Sequence, residues 1–185
     1  MSGVLTPAPR TDAQLVRTIG RIAGYLLVGL GVGGVAGIGW WLLVDLPGYR
    51  VGSTGGASTT ERGLTEFIGG DAWFTALGMV AGVLLGLLAW RLFRGIGWPA
   101  VVLAVLAAAL AALACWLVGY QLGPGAFAPR LAAAQPGDFV PIELTVRAKV
   151  SLLVWPFAAT IPILLASSLG RDEETPGPGF GARRR

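Results

Sequence analysis

The chain has 185 residues, 54% of them hydrophobic and only 13% charged, with a mean hydropathy of +0.69. A water-soluble domain carries about 25% charged residues to wet its surface, so lipid must solvate much of this chain. The net charge of +4 would suggest nucleic acid in a soluble protein; here no polar segment interleaves aromatics with a basic stripe, no nucleic-acid partner is expected, and the arginines read as topology signals.

Reactive chemistry is sparse. The chain has no histidine and a single cysteine, Cys115, inside an apolar run. The commonest general base and metal ligand is therefore missing, and an intrachain disulfide is impossible. No catalytic, metal or cofactor residue is expected.

In chain order, residues 1–21 form a cytoplasmic lead containing Arg10, Arg17 and Arg21. The first apolar stretch runs from about Ile22 to Val44. It exceeds the roughly 7–15 residues of a secretory apolar core, ends in Trp40 and Trp41, and reads as a retained span. Gly29, Gly33 and Gly37 recur at every fourth residue and line one helix face. Such small-residue faces let helix backbones approach closely in lipid.

The first outer loop, 45–71, contains the flexible run Gly52-Ser53-Thr54-Gly55-Gly56-Ala57-Ser58. Ser58 and Glu61 then have capping-box spacing, which predicts a short helix over Thr60–Phe67. Asp71 is placed to cap the second span by accepting from its free N–H groups.

That span, Ala72–Trp90, repeats the glycine interval with Gly78, Gly82 and Gly86. A short connection carrying Arg91 and Arg94 leads through Pro99 into the third span, Trp98–Tyr120, where Ala104, Ala108 and Ala112 form an alanine version of the seam. Both glycine faces suit packing within the bundle; each would also accept another membrane protein or a second copy in a homodimer.

The second outer loop, 121–149, ends in Phe139-Val140-Pro141-Ile142-Glu143-Leu144-Thr145-Val146-Arg147. Alternation of Val140, Ile142, Leu144 and Val146 fits a strand. Pro141 at a first helical position and the Glu143–Arg147 spacing fit a helical extension of the fourth span. The helix is favoured, because an isolated strand has no partner. The fourth span, about Val150–Ser168, contains Pro156 and Pro162, which suit a static bend or a hinge. Trp155, well inside it, is read as buried filler. The tail, 170–185, with Arg171 and Arg183, Arg184 and Arg185, is expected to be disordered and cytoplasmic.

The fold expectation is an all-α integral membrane protein: four transmembrane helices in two antiparallel hairpins, both termini in the cytoplasm. Trp40, Trp41, Trp73, Phe74, Trp116 and Tyr120 should form an outer interfacial belt, and Tyr25, Trp90, Phe93 and Trp98 an inner one.

Several motifs resemble a family of small actinobacterial membrane proteins defined only as a domain of unknown function. They are Glu66-Phe67 with Asp71 and Phe74; Gly78-Met79-Val80-Ala81-Gly82 with Gly86 and Trp90; Gln121-Leu122-Gly123-Pro124; Gln135-Pro136-Gly137-Asp138; Pro141-Ile142-Glu143-Leu144; and Trp155-Pro156-Phe157-Ala158-Ala159. The resemblance implies a bacterial plasma-membrane protein and brings no activity with it.

Three functions compete. A non-catalytic membrane module (accessory subunit, assembly factor or scaffold) fits the small size and glycine faces best. A small dimeric transporter or passive channel is the alternative, although no span carries the ionisable residue that coupled transport usually needs; Ser151 and Thr160 would line such a pore. An outer-face enzyme acting on lipid or cell-wall precursors would draw on Asp45, Glu66, Asp71, Asp138 and Glu143, with Arg130, Arg147 and Lys149 as anion contacts. If a polar outer-face site exists, Glu66, Asp71 and Glu143 are its candidates, being nearest the membrane ends of the second and fourth spans.

Overall fold

The computed structural model describes residues 12–53, 56–58 and 61–169. The tail expected to be disordered lies outside the described residues, as do the side chains of Ser58, Glu61 and Glu66. Four helices are long and apolar enough to cross a membrane: α1 (Asp12–Leu43), α2 (Glu61–Phe93), α3 (Pro99–Leu122) and, after intervening elements, α5 (Ser151–Leu169). A helix satisfies its own backbone groups, which is what hydrocarbon demands.

Helix α2 departs from expectation. It is continuous from Glu61 to Phe93, so the short helix and the second span are one element, and Gly69-Gly70 does not interrupt it. Asp71 therefore sits well inside a helix and cannot be its N-cap. At the other end, a 3-10 turn over Arg94–Ile96 and Gly97, whose φ of 73° needs glycine, reverse the chain into α3.

The tight contacts skip a span. Gly29, Gly33 and Gly37 of α1 lie in step against Ala107, Ala111 and Cys115 of α3. A methyl added at Gly33 would come within 2.7 Å of the Ala111 Cα, and one at Gly37 within 2.7 Å of the Cys115 carbonyl oxygen. On α2, Gly78 faces Trp155, Gly82 faces Trp155 and Ala158, and Gly86 faces Ala159 and Pro162 of α5. Residue numbers rise together along each seam, so both closely packed pairs are parallel. Helices α2 and α3 also touch, and α3 meets α5. Ala100, Ala104, Ala107, Ala108, Ala111 and Ala112 of α3 are all buried, small enough to let it take neighbours on more than one side. Pro162 is buried against Gly86, so any motion there would have to open a seam.

Parallel α1 and α3 bring the loops that follow them to the same end of the bundle. There they fold together: β1 (Gly48–Val51) is the centre of a three-stranded antiparallel sheet, flanked by β2 (Ala57–Ser58) and β3 (Phe139–Pro141). Tyr49 pairs with Val140 and Arg50 with both Phe139 and Ser58. A six-residue helix α4 (Phe127–Ala132) packs beside β3, and the Tyr49 and Phe127 rings meet at 5.4 Å. The molecule is thus mostly helical, with a small sheet that an all-α reading omits.

This sheet overturns the helical reading of 139–149. The strand does have a partner, supplied by the segment between α1 and α2. Val140, Ile142, Leu144 and Val146 are buried while their neighbours are not, which is the two-residue period of an extended chain lying on a core. The ladder continues past Pro141, with the Ile142 N–H donating to the Pro47 carbonyl at 2.9 Å. Helix α5 begins only at Ser151.

Candidate functional site

The end of the bundle that carries the sheet and α4, here called the cap, gathers most of the polar candidates. Asp71, part-way along α2, turns its carboxylate toward the segment that enters α5. Its Oδ1 accepts the Arg147 N–H at 3.0 Å and its Oδ2 accepts the Ala148 N–H at 2.8 Å. Backbone donors near a helix entry lack intrahelical partners, and a carboxylate also complements the positive end of the helix dipole. Asp71 thus accepts backbone N–H groups as expected of it, but from the turn before α5. The first N–H groups of α5, at Ser151, Leu152 and Leu153, donate to the carbonyls of residues 148–150, so Asp71 ties that turn to α2 and is not a helix cap.

Glu143 is half-buried on the outward face of the extended segment. Together with Arg147, Thr145 and Gly70 it lines a small crevice closed by Leu46, Pro47 and Ile142. The side chain of Glu66, about a turn and a half before Asp71 on α2, lies outside the described residues. Of the three candidates, the structure therefore brings Asp71 and Glu143 to one corner of the cap, with both Asp71 oxygens already engaged by backbone.

Asp138 and Arg130 are similarly engaged. Asp138 Oδ2 accepts the Gln135 N–H at 2.9 Å, and the Asp138 N–H donates to the Gln135 carbonyl at 3.0 Å. Between them stand Pro136 and Gly137, the latter at φ 101°, an arrangement that fits a type II turn. Arg130 donates through Nε to Ala126 and through Nη2 to Gly125, fixing the start of α4. Asp45 and Lys149 are exposed. Among the described residues, no group of three His, Cys, Asp or Glu side chains could hold a metal ion.

Beneath the cap lies an aromatic core. Trp40, Phe74 and Trp155 are fully buried, with ring centroids at 5.2 Å for Trp40–Phe74 and 5.4 Å for Phe74–Trp155. They join α1, α2 and α5, and Gly119 of α3 leaves room for the Trp40 ring. Trp40 Nε1 donates to the Gly70 carbonyl at 2.8 Å, and Trp116 Nε1 to Thr145 Oγ1 at 3.3 Å. The expected outer belt therefore divides: Trp41, Trp73 and Tyr120 face outward, whereas Trp40 and Phe74 are core. Neighbouring positions on a helix point about 100° apart, and the belt rule cannot distinguish them.

The opposite end divides the same way. Trp98 is exposed, while Tyr25 and Phe93 are buried and meet edge-to-face at 5.5 Å. The Tyr25 hydroxyl donates to the Leu85 carbonyl at 2.9 Å. Arg21 Nη2 donates to the Leu92 carbonyl at 2.7 Å, placing a cation on the last turn of α2, where the helix dipole favours it. No sequence pattern marked Arg21 for this role beyond its place in the lead.

No family model matches the chain, and no curated protein or solved structure is detectably similar to it.

Proposed function

We propose that this is a non-catalytic module of the plasma membrane, an accessory or scaffold protein whose working surface is the folded cap. In this reading it is multi-pass with both termini in the cytoplasm, because the arginine-rich lead, the turn with Arg91 and Arg94, and the tail share one side. The cap then faces outward. The resemblance to the actinobacterial family is part of the same proposal.

The observation that carries it is the use of Asp71. Both carboxylate oxygens are taken by backbone N–H groups that lock α2 to the entry of α5, which suits a braced platform better than a reacting acid. The glycine faces are occupied inside the bundle, so a partner or second copy would meet the cap or the remaining lipid-facing surfaces.

Affinity purification from native membranes in mild detergent, with crosslinking and mass spectrometry, tests the reading. A stoichiometric complex crosslinked through cap residues is the expected result. A solitary chain that moves solute across proteoliposomes above empty vesicles would replace the module with a transporter.

A further inference from the structure

We propose that the end of the bundle opposite the cap binds an anionic phospholipid, its phosphate held by Arg17 and Arg21 and an acyl chain laid on the apolar floor beside them. A concavity of about 570 Å³ opens there, lined by Gln14, Leu15, Arg17, Ile19, Arg21 and Ile96 among others. Leu15, Ile19 and Ile96 are each about half exposed, leaving an apolar surface directly beside two cations. Water suits the first poorly, and hydrocarbon suits the second poorly. An amphiphile with an anionic head satisfies both.

Among the described residues the charge at this end is one-sided. Arg91 and Arg94, at the end of α2 and in the turn that carries Ile96, are exposed on the same end. Among the described residues Asp12 is the one acidic side chain there, and Arg17, Arg91 and Arg94 form no ion pair. Arg21 is already held in place, its guanidinium bonded to the Leu92 carbonyl and lying 5.8 Å from the Phe93 ring centroid. Guanidinium has five N–H donors in a planar fork, so one bond to a carbonyl leaves donors for a phosphate, and a fixed group loses little freedom on binding. Arg17 lies one turn earlier on α1 and completes the pair. The inference stands on the spans and this geometry, independent of the accessory role.

Each arginine at a lipid surface contributes about fivefold in affinity for an anionic headgroup. The test is native mass spectrometry of the full-length protein in detergent, with phosphatidylglycerol or phosphatidylcholine added at equal concentration. Expected is a bound phosphatidylglycerol retained in clear excess over phosphatidylcholine. The excess should fall about fivefold in Arg17→Gln, which leaves the Arg21 bond to Leu92 intact, and disappear in Arg17→Gln/Arg21→Gln. Arg50→Gln, at the cap, should leave it unchanged. Equal retention of the two lipids would overturn the proposal, as would a preference undiminished in Arg17→Gln or one that persists in Arg17→Gln/Arg21→Gln, since either would assign the binding to other basic residues such as the C-terminal arginines.

Discussion

The two glycine seams share a spacing and solve different problems. Between α1 and α3, glycine meets alanine and cysteine: Gly29, Gly33 and Gly37 let the backbone of one helix rest on the backbone of the other. Between α2 and α5, the same interval begins by accommodating an indole, with Gly78 under the Trp155 ring, and narrows to Ala159 and Pro162 at Gly86. The first seam gains from close approach along its whole length. The second holds a ring at Gly78 and meets backbone at Gly82 and Gly86. In lipid, where contact rather than water exclusion drives association, the same three-glycine pattern thus supports either a zipper or a socket.

That contrast makes the seams fail differently. Emptying the socket should have the largest effect: Trp155→Ala removes a fully buried indole and is expected to cost about 3–5 kcal/mol, read as a lower midpoint in denaturing-detergent titration. Filling the zipper comes next. Ala111→Leu should cost about 1–3 kcal/mol by forcing α1 and α3 apart, whereas Ala111→Gly should cost only about 1 kcal/mol, chiefly through helix propensity. If Ala111→Gly proved as harmful as Trp155→Ala, the distinction between zipper and socket would fail.

The brace above the seams should matter at a similar or smaller level. Asp71→Ala removes two charge-assisted bonds to exposed backbone donors that water can take over, and is expected to cost about 1–2 kcal/mol, with faster amide exchange at residues 147 and 148 as its local signature. Unchanged exchange there would mean that Asp71 does not hold the entry to α5. Smallest is Trp40→Phe, which loses the bond to the Gly70 carbonyl and keeps most of the ring, at about 1 kcal/mol.

Much of the bundle was legible because hydrocarbon is a demanding solvent. Uncharged runs long enough to cross it located all four long helices, and glycine spacing located the face that each of α1 and α2 turns inward. What escaped was non-local. The alternation at Val140, Ile142, Leu144 and Val146 was a true strand signal, set aside because its partner, Gly48–Val51, lies in a different loop. Asp71 accepts backbone N–H groups as its chemistry suggests, but from residues 147 and 148, to which nothing in sequence spacing links it. Trp40 and Trp41 are adjacent, identical in type and opposite in fate; only the packing of α1 on α2 and α3 distinguishes them.

The same ambiguity gives the most direct test of the central claim, that the glycine seams bind the bundle internally. Gly33 and Gly34 are neighbours on α1; a methyl on Gly33 would strike the Ala111 backbone, and one on Gly34 would meet nothing within 4 Å. Titrating Gly33→Ala and Gly34→Ala with denaturing detergent compares one substitution at two adjacent sites with the same helix propensity. The structure predicts a loss of about 1–3 kcal/mol for Gly33→Ala and no loss, or a gain of up to about 1 kcal/mol, for Gly34→Ala. Equal effects, or the reverse order, would contradict it.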